Sequence, residues 1–245
     1  RRFARSWHSH PEPPGESTAL ILYTSGTTGL PTGVAMSHAG LAAGETICEH
    51  VPADDDCMAM LGAMNALGAR IRAGRNGATM IAGAGNGCLL QSGAPLALNS
   101  PEDALLVAGL VAPHDMATRV QCAVGLNGDA VASLLAAFAA MGIQAEADGR
   151  DAIVFAGQAT ANPAIHDAGG WSDAAVAAVM LAALGTPGIT RVGHLPRNPA
   201  GLAEIFVRFG AVIDIAATDR RWSLAVTGQT DIRAPADTRT QEDRA

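Results

Sequence analysis

Apolar positions along this chain fall into one phrase written three times: an alanine-rich helical stripe, a glycine, then a short run that alternates apolar and polar. The copies are MLGAMNALGARI (60–71), LLAAFAAMGIQAEA (134–147) and LAEIFVRFGAVIDI (202–215). Each predicts a helix with one buried face, ended by Gly68, Gly142 or Gly210 in a positive-φ conformation, and a return strand. A second phrase precedes each copy and predicts helix, Gly or Pro break, then strand. It reads HAGLAAGETICEHV (38–51), LLVAGLVAPHDMATRVQCAV (105–124) and VMLAALGTPGITRVGHL (179–195), with Leu41, Leu110 and Leu184 in equivalent places. A period of roughly 70 residues with two helices per copy implies three supersecondary units sharing one core, an α/β architecture and not a thin solenoid.

Punctuation between these phrases predicts the remaining elements. TALILYT (18–24) has a strand's length and composition, SGTTGLPTG (25–33) is a Gly/Thr loop, and a helix is expected over 34–43. Asp54, Asp55 and Asp56 cap a helix over 57–67, where carboxylates suit the helix dipole and require no metal. GRNG (74–77) and ADGRD (147–151) are turns, and NSPED (99–103), GLNGD (125–129), WSD (171–173) and NPAG (198–201) open helices. The expected layout is a polar arm over 1–16, a single domain over 17–228 with units near 17–85, 86–157 and 158–228, and a polar tail over 229–245.

Composition narrows the classes. The chain has 245 residues, 49% of them hydrophobic but only 4% aromatic, with 28 glycines, which suits closely approaching helices and strands. A formal charge of −7 argues against nucleic acid or an anionic membrane surface as a partner. The four cysteines, Cys48, Cys57, Cys88 and Cys122, have no CxxC spacing and read as reduced thiols of a cytoplasmic protein. No apolar run reaches the ~18 residues of a membrane span, and no signal-peptide pattern is present. His8 and His10 lack a further nearby ligand, and His114, His166 and His194 share no ligand spacing, so neither metal nor cofactor is expected.

Two resemblances rest on particular residues. YTSGTTGLPTGV (23–34) resembles the phosphate-loop signature of adenylate-forming enzymes. In such a loop the glycines let backbone N–H groups approach phosphate oxygens, and hydroxyls add donors; Ser25, Gly26, Thr27 and Thr28 are the candidates here. The family's lysine is Thr32 in this chain, so the fixed positive charge is missing.

The wider resemblance runs over residues 40–215. The stretches GLAAGET (40–46), MNALGARIR (64–72), GAGNGCLL (83–90), APLALN (94–99), GLVAPHDMATR (109–119), TANPAIH (160–166), AVMLAALGTPGIT (178–190) and FGAVIDI (209–215) are similar to the N-terminal half of the 5-enolpyruvylshikimate-3-phosphate (EPSP) synthase family, in family order. That resemblance implies a domain of three βαβαββ-like units around a pseudo-threefold axis, with helices inside. It also implies the enolpyruvyl (carboxyvinyl) transfer of the shikimate pathway, which leads to aromatic amino acids. That reaction joins phosphoenolpyruvate to shikimate 3-phosphate, both anions, so Lys and Arg must clamp phosphates and carboxylates. At the positions where the family carries those cations this chain has Gly29 and Val34, then Leu105, Gly128 and Asp129, Val176 and, near the last helix, Pro199; the serine and aspartate that accompany them in the family fall at Leu30 and Ala200. The family's glutamine is Ala174. Asn99 and Ser172 are retained, and Arg197 is close but out of register.

These replacements point to a scaffold that keeps the fold and not the reaction. The alternatives are a divergent or split transferase completed by a second half, and a nucleotide-phosphate-binding module using 25–33. Self-association and a phosphorylated small molecule are the remaining partner expectations. The resemblance implies an active site in a cleft between two domains, and Arg191 and Arg197 are the nearby cations expected to flank it.

Overall fold

The computed structural model describes residues 44–48, 51–74, 78–85, 88–157, 161–218 and 221–233. The expected strand at 18–24, the loop at 25–33, the helix at 34–43, Leu41 and the arm over 1–16 lie outside them, as does most of the tail. The described elements, in chain order, are β1 (Gly44–Cys48), α1 (Asp55–Ala66), β2 (Arg70–Ala73), β3 (Thr79–Gly83), β4 (Leu96–Leu98), α2 (Pro101–Val111), β5 (Ala117–Cys122), α3 (Gly128–Ala140), β6 (Ala145–Asp148), β7 (Ala152–Ala156), β8 (Ile165–Asp167), α4 (Asp173–Gly185), β9 (Ile189–Leu195), α5 (Ala200–Arg208), β10 (Val212–Thr218) and β11 (Arg221–Thr227).

Three sheets share one strand order. The middle sheet runs β4-β5-β7-β6 and the last runs β8-β9-β11-β10, each with its first pair parallel and the rest antiparallel. The first described sheet, β1-β3-β2, repeats the last three strands of that order, antiparallel throughout. Gly68, Gly142 and Gly210 leave their helices at φ values of 104°, 76° and 90°, so the glycine of each repeated phrase makes the turn its sequence predicts.

Caps fix where the helices begin. The Asp54 carboxylate accepts from Cys57 N at 2.8 Å, Ser100 Oγ from Asp103 N at 3.3 Å, and Ser172 Oγ from Ala175 N at 3.2 Å. Asn127 Oδ1 accepts from two N–H groups, those of Asp129 and Ala130. Helix α1 thus starts two residues earlier than the apolar pattern predicts, because capping by Asp54 draws Asp55 and Asp56 into its first turn. Helix α5 follows Pro199 and has no side-chain cap at that residue.

The core is built on α2 and α4. From Asp103 to Val111 and from Ala174 to Leu184 every residue is buried, so these two helices are apolar all round. They make the most extensive helix–helix contact among the described elements. Gly109 lies so near α4 that an added Cβ would sit 2.1 Å from the Ala178 carbonyl oxygen. Gly185 approaches Pro113 in the same way, so the C-terminal ends of α2 and α4 meet and the helices run in the same direction. Their N-termini therefore emerge on the same side of the core.

Candidate functional site

The helix N-termini are the natural place to look for anion chemistry, because unpaired N–H groups and the helix dipole favour negative charge there. Asn99 Nδ2 donates to the Asp55 carbonyl at 2.9 Å and ties the start of α2 to the start of α1. The starts of α3 and α4 enclose a hollow of about 180 Å³ bordered by Asn127, Asp129, Ser133, Trp171 and Ser172. The starts of α4 and α5 enclose another of about 250 Å³, floored by Trp171, Val176, Leu195, Leu202 and Ile205, with Asp173 and Arg197 among its polar residues.

These termini carry carboxylates. Asp55 and Asp56 stand in the first turn of α1, Glu102 and Asp103 in that of α2, Asp129 in that of α3 and Asp173 in that of α4. Arg197, a sequence-derived candidate, faces Asp173 with Nη1 3.5 Å from a carboxylate oxygen, both side chains exposed. Arg191 does not join it. It lies on β9 beside exposed Ile189 and opposite Ile165 of β8, on the face of the sheet away from the buried Thr190 and Val192. Arg191 and Arg197 are therefore not brought together around this hollow: residues of one strand alternate in direction, and Ile189 and Arg191 share the exposed face.

The remaining candidates are distributed as follows. Ser172 is spent on the α4 cap, and Asn99 uses one amide hydrogen on the α1 backbone. Ser25, Gly26, Thr27 and Thr28 fall outside the described residues. Leu105, where the resemblance puts an arginine, is buried, as are Ala174 and Val176.

Three titratable groups stand out that sequence alone did not single out for charge. Asp103 is 6% exposed, and its carboxyl is pushed up to about 7 by burial first and then by the neighbouring Asp56, Glu102 and Asp54. Burial, followed by a hydrogen bond with Asp54, pushes the Cys57 thiol up to about 12. His166 is 5% exposed, its ring 5.9 Å from that of Trp171, and burial lowers its pKa so that it stays neutral. On the surface nearby, His194 Nδ1 meets Asp167 Oδ2 at 2.9 Å. The Asp167 carboxyl is held below its usual range by the Gly169 N–H and by His194.

Helices held among three sheets of the same strand order define a mixed α/β domain of the EPSP synthase fold. Two solved structures of EPSP synthase from Acinetobacter baumannii match it with TM-scores of 0.70 and 0.74, each at 18% identity over 91% of this chain and 50% of theirs. In sequence the chain is similar to the 3-phosphoshikimate 1-carboxyvinyltransferase of Chelativorans sp. (strain BNC1), 33% identical over 205 residues, which is 81% of this chain and 45% of that protein. The enzyme of the same name from Brucella canis is 38% identical over 156 residues, 62% of this chain and 34% of its own length. The region is thus EPSP-synthase-like by sequence and by fold, and the chain spans about half the length of the curated relatives it matches. A second family, described as AMP-binding enzyme, matches residues 2–86. The part of that match from Gly44 to Gly83 folds as β1, α1, β2 and β3, with the strand order shared by the other two sheets. Among the described residues no helix is long and apolar enough to cross a membrane.

Proposed function

We propose that this chain keeps the EPSP-synthase-like architecture, three units about a pseudo-threefold axis, without catalysing carboxyvinyl transfer as it stands alone. One observation carries the reading: the helix starts that would face two anionic substrates present Asp129, Asp173 and buried apolar side chains, and Arg197 among them has the Asp173 carboxylate 3.5 Å away, a like charge for any incoming phosphate. Losing one partner of a charged hydrogen-bonded pair costs about 2–5 kcal/mol. Several such losses together leave a phosphate facing like charge. The shared strand order supports the three-unit layout, with boundaries near residues 85 and 157.

Two measurements test the reading. Calorimetry with shikimate 3-phosphate is expected to show no saturable heat. A coupled phosphate-release assay with that compound and phosphoenolpyruvate is expected to stay at background. Turnover by this chain would overturn the proposal, and turnover only after adding a second polypeptide would favour a split transferase.

The AMP-binding match supports a second reading, a nucleotide-phosphate site at 25–33. It expects AMP or ATP to bind and Gly26→Val or Thr28→Val to abolish binding; absence of binding to the unaltered chain rejects it.

A further inference from the structure

The hollow between the starts of α4 and α5 sets an apolar floor beside the Asp173–Arg197 pair. Its floor is apolar and partly aromatic, from Trp171, Leu195, Leu202 and Ile205. Its polar residues include one acid, Asp173, and one base, Arg197, side by side. We propose that it binds a free apolar α-amino acid as a zwitterion. The side chain lies on the floor, the carboxylate pairs with Arg197 and the ammonium with Asp173. This inference rests on the proposed function in one respect, that Arg197 is not committed to a substrate phosphate.

Size, charge and rigidity support the assignment. At about 250 Å³ the hollow is smaller than the ~300–1,000 Å³ typical of sites for drug-sized ligands, so its occupant is small. A ligand with only a carboxylate would be repelled by Asp173, and one with only an ammonium by Arg197. A ligand carrying both charges on one carbon satisfies both residues. The Asp173–Arg197 separation of 3.5 Å exceeds that of a strong charge-assisted hydrogen bond, ~2.7–2.9 Å, and both side chains are exposed. Such a pair gives little stability and opens readily to admit two complementary charges. The floor is held more firmly. The Trp171 ring lies beside buried His166, its backbone N–H donates to the Ala168 carbonyl at 3.1 Å, and the next residue caps α4. Asn198 Oδ1 accepts from Ala200 N at 3.0 Å and fixes the loop that carries Arg197.

The experiment titrates L-phenylalanine, 3-phenylpropionate and phenethylamine into the full chain, read by calorimetry and tryptophan fluorescence. L-phenylalanine is expected to bind, and each analogue lacking one charge to bind about tenfold more weakly or worse, one tenfold step for each lost charged contact. Arg197→Gln and Asp173→Asn are each expected to weaken L-phenylalanine by about the same factor. Both side chains are exposed, so an unchanged far-UV spectrum confirms that these variants are folded. Leu202→Asp is expected to abolish binding, and if it unfolds the chain the two rim variants carry the test. No binding of L-phenylalanine, or equal binding of 3-phenylpropionate, would overturn the proposal. So would unaltered affinity in both rim variants. Shikimate 3-phosphate is expected neither to bind nor to compete.

Discussion

At the scale of single residues the most consequential group is Asp103. Its folded pKa of about 7 lies above the ordinary carboxyl value of 3.8, so the native state holds a proton that the unfolded chain releases. Its contribution is fully present below about pH 4 and is lost as pH rises through about 7. We therefore expect Asp103→Asn to melt near the unaltered chain at pH 4 and above it at pH 8, by an amount corresponding to a few kcal/mol. Equal melting temperatures at both pH values would contradict this. His166 and His114 act in the opposite direction. Burial lowers both, so they oppose folding as pH falls below 6.5, and the Asn variant isolates Asp103 from them. None of this was legible in the chain. NSPED reads as an ordinary capping phrase, and nothing in it shows that the start of α1, far away in sequence, is tied beside Asp103 through Asn99.

At the scale of elements, starts and stops were the readable part, because each is decided by neighbours within a few residues. Asn127 shows the energetic weight. Its carboxamide oxygen holds two orphan N–H groups of α3, and Asn127→Ala is expected to cost about 1 kcal/mol in urea denaturation. Glycines inside helices divide by environment. A Cβ at Gly62 of α1 meets nothing within 4 Å, so Gly62→Ala should stabilise by about 0.5–1 kcal/mol through backbone entropy. A Cβ at Gly109 would collide with backbone of α4, which cannot swing aside, so Gly109→Ala should destabilise by about 1–3 kcal/mol or more. Opposite signs in urea midpoints check both together. The short strands β4 and β8 lack a pattern of their own. Three residues cannot show a period, and each exists because a longer parallel neighbour, β5 or β9, accepts it.

At the scale of the whole molecule, the repeated phrase was legible because each unit solves the same packing problem with the same order of apolar stripes and glycines. The placement of charge around the helix starts was only partly legible. Sequence offered Arg191 and Arg197 together, but β9 carries Arg191 on the exposed face that it shares with Ile189, and nothing in the linear pattern tells which face of that strand is covered. The shared strand order of the sheets on either side predicts that a cut in the segment 158–160, between β7 and β8, leaves fragments that reassociate. Co-expressed pieces should co-purify as a folded complex, because α2 has most of its partner surface on α4.

That same dependence sets a schedule for synthesis. A ribosome finishes Val111 long before it reaches Gly185, and at ~5–20 residues per second the delay is roughly 4–15 s. Throughout that interval one greasy cylinder exists without its mate, a target for chaperones and proteases. The newborn polypeptide is most vulnerable in mid-translation, and slow codons between β5 and α4 would lengthen the danger.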